Sequence, residues 1–143
     1  MAGFVWFQGF NDQFSPAAIE NYRNNMIAFI KDVRREYKVA KMPFVIGVVG
    51  FSVTKEAGEK DRIAIAQREA AAAPDFEGTV AGVESIPLYD REALKVFESG
   101  WAEHLYEWIV VGSQRPYHYL GSGKFFVRLG DAMATSMVTL LKK

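Results

Sequence analysis

The run Phe44-Val45-Ile46-Gly47-Val48-Val49-Gly50 constrains the fold more than any other segment of this chain. It is apolar without alternation, the pattern of a strand covered on both faces at the centre of a parallel sheet. A second unalternating run, Phe4-Val5-Trp6-Phe7, precedes it. Between them Ser15-Pro16 opens a helix, Ser as the N-cap and Pro at the first helical position. Ile19, Tyr22, Met26, Phe29, Ile30, Val33 and Tyr37 then recur at helical spacing and give that helix one buried stripe. A polar segment (54–60) leads into a second helix over about Asp61–Ala73, ended before Pro74. Gly78–Val83 is a third strand, weakened by its glycines. Leu94, Phe97, Trp101, Leu105 and Trp108 form a further helical stripe that Gly100 can split, and Phe125 to Leu140 carries the last.

Strands alternating with helices predict right-handed crossovers and an α/β fold, a short parallel sheet of about three strands flanked by helices. Two of the three strands read as central ones, which need more neighbours than this sheet supplies. The expectation is therefore a single domain over 1–143 that is truncated, or completed by strands from another chain. An uncovered edge would favour self-association.

With 143 residues, half of them hydrophobic, the chain can bury a substantial core. Seventeen basic residues balance seventeen acidic ones, and no dense Lys/Arg patch argues for nucleic acid. Lys31, Arg34, Arg35 and Lys38 stand beside Asp32 and Glu36 and read as a solvated helix face. The absence of cysteine excludes disulfides and thiolate chemistry. No apolar run approaches the length that spans a bilayer, and the apolar start lacks a basic flank and is interrupted too early for a targeting segment. No membrane partner is expected, and the compartment stays open.

The first run breaks into Gln8-Gly9-Phe10-Asn11-Asp12, polar groups at the carboxyl end of a strand, where ligand sites of open α/β sheets lie. An Asn there can offer its amide N–H to a developing oxyanion, or simply shape a turn. Gly9 reads as a backbone requirement. His118, in Arg115-Pro116-Tyr117-His118-Tyr119-Leu120-Gly121-Ser122-Gly123, is a general-base candidate or a loop histidine packed between two tyrosines. His104 falls off an apolar stripe and reads as a surface residue, and two histidines so far apart give no ground for a metal site. Ser15 and Ser122 read as helix caps; Ser52, Ser85, Ser99, Ser113 and Ser136 stand in no nucleophile-elbow context.

The Gln-Gly-x-Asn-Asp block and the His118 block, followed by a closing helix, resemble two separated blocks of SGNH-type esterases, in the sialate O-acetylesterase-like branch of carbohydrate esterases. Arg62 with Gln67 is similar to an Arg-x-x-x-Ala-Gln segment of the same relatives, though a polar helix face explains that pair as well. The resemblance implies part of a flavodoxin-like three-layer sandwich and hydrolysis of acetyl esters on sialic acid, xylan or similar glycans. It implies no cofactor and no metal, Asn11 as oxyanion donor and His118 as catalytic base, and Gln8, Gly9, Asp12 and Gln67 near the substrate. It also implies an exported parent. The family's serine block, which precedes Gln-Gly-x-Asn-Asp, has no counterpart in this chain. Phe10 and Arg115 stand where relatives carry acids that assist the histidine. The expectation is the C-terminal part of a serine carbohydrate O-acetylesterase, inactive alone. The alternative is a carbohydrate-binding or assembly module on a degenerate scaffold.

Overall fold

The structure, a computed structural model, describes residues 1–51, 55–113 and 115–142, and at position 55 the backbone alone. Three parallel strands, β1 (Phe4–Trp6), β2 (Phe44–Val48) and β3 (Val80–Glu84), pair in the order β1-β2-β3. Phe4 lies opposite Phe44, and Phe44 opposite Val80, so all three strands begin at one level. Helix α1 (Pro16–Glu36) crosses from β1 to β2; α2 (Lys55–Lys60) and α3 (Arg62–Ala71) cross from β2 to β3. After β3 come α4 (Arg91–Glu98), α5 (Leu105–Val111) and α6 (Gly123–Leu141). The α/β class and the partial flavodoxin-like architecture agree with this arrangement.

The caps follow local chemistry. The Ser15 hydroxyl accepts the Ala18 N–H at the start of α1, Asp61 accepts from Ile63 and Ala64, and Ser122 accepts from Phe125. Gly100, at φ 95°, separates α4 from α5. The polar segment expected before α3 contains helix α2, made mostly of charged residues and too short to show a stripe.

Alternation along β2 divides the core. Phe44, Ile46 and Val48 face α1 and α3, packing on Tyr22, Met26, Ile30 and Ile63. Val45 faces the other way, into a cluster of Tyr89, Leu94, Trp108, Phe125, Leu129 and Met133 from the later helices. Two expectations need correction. β1 reads as a central strand but is an edge, with Val5 54 % exposed. Its apolar residues serve α1 on one face: Phe4 and Trp6 pack on Phe29 at ring distances of 5.8 and 4.6 Å. Arg34 is not on a solvated face. It is buried, its Nε and Nη2 donate to the Met42 carbonyl at 3.1 and 2.9 Å, and its guanidinium lies over Phe76. Burial pulls its pKa down, and the carbonyl bonds stand in for the lost hydration.

Candidate functional site

A cavity of about 790 Å³ opens beyond the carboxyl ends of β1 and β2. Its wall includes Gln8, Gly9, Phe10 and Asn11 from the segment after β1, and Val49, Gly50 and Phe51 from the segment after β2. Pro116 to Leu120, from the loop before α6, close the other side. Asn11 and His118, remote in sequence, thus border one space. Both are exposed, and among the described residues neither side chain is held by a hydrogen bond.

The Asn11 rim is built on polar bonds. Gly9 sits at φ 149°, a conformation that suits glycine, and a Cβ there would approach Ile63 Cγ2 at 2.8 Å. Immediately beyond, Asn11–Phe14 coil into a short 3-10 turn. Gln8 Nε2 donates to Asp12 at 2.6 Å and braces the turn against the strand end. Beneath it the Gln8 carbonyl accepts from the Tyr22 hydroxyl and from Gln67 Nε2, both at 2.8 Å. Gln67 Oε1 accepts the Val49 N–H at 2.8 Å, and its Nε2 also donates to the Tyr22 hydroxyl. Gln67 is fully buried and does not line the cavity; it ties the ends of β1 and β2 together from below. Gln67, expected near the substrate, forms this strut because α3 packs the side chain inward. Arg62 is exposed and likewise lies outside the lining. Asp12 stands one layer behind the wall, holding Gln8.

The His118 rim is built differently. His118, Tyr119, Leu120 and Gly121 have φ values of 48, 60, 63 and 62°, four successive residues in the left-handed region. Such a conformation costs about 1 kcal/mol or more at each non-glycine residue and survives only where the surroundings impose it. Tyr119 supplies much of that constraint. Its ring stacks on Phe125 at 4.1 Å and 5°, and its hydroxyl accepts the Gly50 N–H at 3.2 Å. The Tyr89 hydroxyl donates to the carbonyl of the same Gly50 at 3.1 Å, so two tyrosines bracket one residue. Burial pushes both phenols above their usual pKa, which keeps them protonated through the neutral range. Behind the turn Ser122 Oγ donates to the buried Asp90 carboxylate at 2.6 Å. Burial alone would raise the Asp90 pKa; the bonds from Ser122 and from the N–H groups of Ala93 and Glu92 outweigh it and hold it low.

The His118 ring meets Phe10 edge to face at 6.2 Å, and Phe10 in turn meets Phe51. Arg115 is exposed, and the Ser113 hydroxyl donates to its carbonyl. Among the described residues no carboxylate bonds the imidazole and no serine or threonine lines the cavity; Ser52 lies outside them. Ser15 and Ser122 are the helix caps expected, and His104 is a surface residue 3.7 Å from Glu107. No group of three metal-ligating side chains occurs among the described residues. Tyr89, Tyr119 and Asp90 escape a reading of the sequence. Asp90 alone leaves a local signal, an N-cap residue immediately before the α4 stripe.

Comparison with known proteins covers one side of the cleft. Residues 1–91 match the model of the family described as carbohydrate esterase, sialic acid-specific acetylesterase. That span holds the Asn11 rim, the Gln67 strut and Gly50, and stops short of His118. No curated protein and no solved structure matches the chain. Nearly two thirds of its length, including the whole sheet, satisfies the family model, and the chain belongs to the carbohydrate esterase, sialic acid-specific acetylesterase family.

Proposed function

We propose that this chain supplies the oxyanion donor and the proton relay of a serine O-acetylesterase, and that the attacking hydroxyl comes from a residue outside this chain. The observation that carries the reading is the shared cavity of Asn11 and His118 at the strand ends. In this scheme His118 takes the proton as the hydroxyl attacks the ester carbonyl. The Asn11 amide N–H meets the oxyanion of the tetrahedral intermediate. Collapse expels the alcohol, which recovers the proton from the imidazolium, and water then frees acetate by the same steps. Both side chains are unencumbered, as groups that must meet a reacting centre should be.

The chain alone is expected to hydrolyse an aryl acetate no faster than its His118→Ala variant. Fused behind a segment bearing the family's Gly-Asp-Ser strand, it should gain His118-dependent activity, and Asn11→Ala should then reduce the rate about a hundredfold or more. A fusion equally active with and without His118 would overturn the assignment. So would robust His118-dependent hydrolysis by the chain alone, since that requires a hydroxyl of its own. The absence of a described carboxylate on His118 favours a second reading, a binding module that has lost catalysis; an inactive fusion that still binds ligand at the cleft would support it.

A further inference from the structure

A second cavity, of about 680 Å³, lies beside the last turn of α1, at the other end of the sheet from the cleft. Arg34, in its wall, donates to the Met42 carbonyl and to Thr79 Oγ1, just ahead of β2 and β3. Four cationic side chains, Lys31, Arg34, Arg35 and Lys38, share the wall with one carboxylate, Asp75. Lys31 takes that carboxylate at 2.7 Å, and Arg35 is taken by Asp32 at 2.8 Å. Among the described residues no acid bonds Arg34 or Lys38, so two positive charges stay unmatched in one recess.

Arg34 is 7 % exposed, yet its guanidinium is only partly used. Nε and Nη2 are bound to the Met42 carbonyl and Thr79, and one face lies over Phe76 at 5.1 Å. Nη1 has no acceptor among the described residues. A buried side chain fixed along one edge thus leaves oriented N–H groups for the cavity that it lines, a donor suited to an oxyanion.

Lys38 is an independent sign. It follows the α1 cap at φ 55°, and the Val39 N–H reaches back to the Arg34 carbonyl at 3.0 Å, the closing bond of a Schellman turn. Glycine holds that left-handed position without strain and is the usual residue there. The helix dipole favours a cation in the last turn, but Arg34 and Arg35 already supply it, and neither needs a left-handed backbone. What the strained position adds is an ammonium at the unmatched recess.

We infer that this cavity binds a soluble phosphate monoester, its charge matched by Arg34 and Lys38. A phosphate monoester carries about two negative charges near neutral pH, and its oxygens can meet a fixed guanidinium edge and a mobile ammonium together. The burial of Arg34 asks for a group small enough to enter the recess. The inference is independent of the reading of the cleft.

The test is a titration of the full chain with glycerol 1-phosphate, followed by amide NMR at constant ionic strength. Acetate is the monoanionic comparator, and the Asn11 amide, at the other end of the sheet, is the internal control. The Lys38 and Val39 amides are expected to shift while Asn11 stays, with glycerol 1-phosphate bound at least about tenfold more tightly than acetate. Lys38→Gly relieves the left-handed residue, so the chain should stay at least as stable while its affinity falls about tenfold. Lys41→Ala removes a neighbouring exposed charge outside the wall and should leave the affinity unchanged. Acetate bound as tightly, Asn11 shifted as far, or undiminished binding by the Lys38→Gly chain overturns the inference. So does equal weakening by Lys41→Ala, which would reduce the recess to a diffuse positive field. Adsorption to phosphatidic acid vesicles without binding of glycerol 1-phosphate overturns it as well, in favour of a surface that meets a bilayer.

Discussion

The two rims of the cleft are held by opposite means. On the Asn11 side a fully buried amide, Gln67, joins two strand ends and a tyrosine through bonds of 2.8 to 3.0 Å, and the backbone above it is relaxed except at Gly9. On the His118 side the backbone is strained over three residues, His118 to Leu120, and ring stacking with one pinned peptide holds it. Directional bonds to buried groups fix the first rim locally. The second depends on a distant surface to keep it out of its preferred conformation. In the proposed function His118 relays a proton, and its place on a strained turn fits the general tendency of strain to gather at functional positions.

Breaking the polar rim should have the largest effect. Gln67→Leu leaves the Val49 N–H without its acceptor and removes a donor from Gln8, so a loss of about 3 kcal/mol is expected in urea unfolding. A loss below about 1 kcal/mol would mean that water enters beneath the cleft and replaces the strut.

Asp90→Ala, which releases the Ser122 end of the strained turn, should cost about 2 kcal/mol. The same pair sets an acid limit. The folded Asp90 pKa is depressed, so its contribution is fully present above the ordinary carboxylate value and is lost as pH falls through the lower folded one. Stability measured from pH 5 downward should therefore decline less steeply in Asp90→Asn than in the parent.

Tyr119→Phe keeps the stack on Phe125 and removes only the acceptor of the Gly50 N–H. About 1 kcal/mol of stability should be lost, with a shift of the His118 ring resonances that Gln67→Leu does not reproduce. Equal shifts in both variants would show the rims to be one unit. The smallest effect has the opposite sign: His118→Gly relieves a left-handed residue that is exposed, and should raise stability by up to about 1 kcal/mol while abolishing the relay. Destabilisation there would place the constraint in the His118 side chain itself, through its contact with Phe10.

Much of the frame was legible in the sequence because its causes are local. The stripe from Ile19 to Val33, the Ser15 and Ser122 caps, the split at Gly100 and the unbroken run of β2 each rest on neighbours a few positions away. Helix α2 was not legible, because six mostly charged residues carry no periodicity. Nor was the edge status of β1, since an apolar run records burial against α1 without stating how many strands lie beside it. The mistaken reading of Arg34 has the same origin: its partners are the Met42 carbonyl, a backbone atom, and Thr79, remote in sequence, and neither marks the side-chain pattern of α1.

By itself, then, the chain's order of residues determined the strand and helix alternation, the caps, and Gln8 to Asp12 as a polar exit from a strand. These depend on short-range sterics and on hydrophobic period. Only the tertiary structure decided that Asn11 and His118 face one cavity, that Gln67 supports that cavity from beneath, and that Tyr119 holds a left-handed turn against β2. Each of these joins segments whose approach is governed by packing across the sheet, and packing energy is a property of surfaces brought together, which no single stretch of sequence contains.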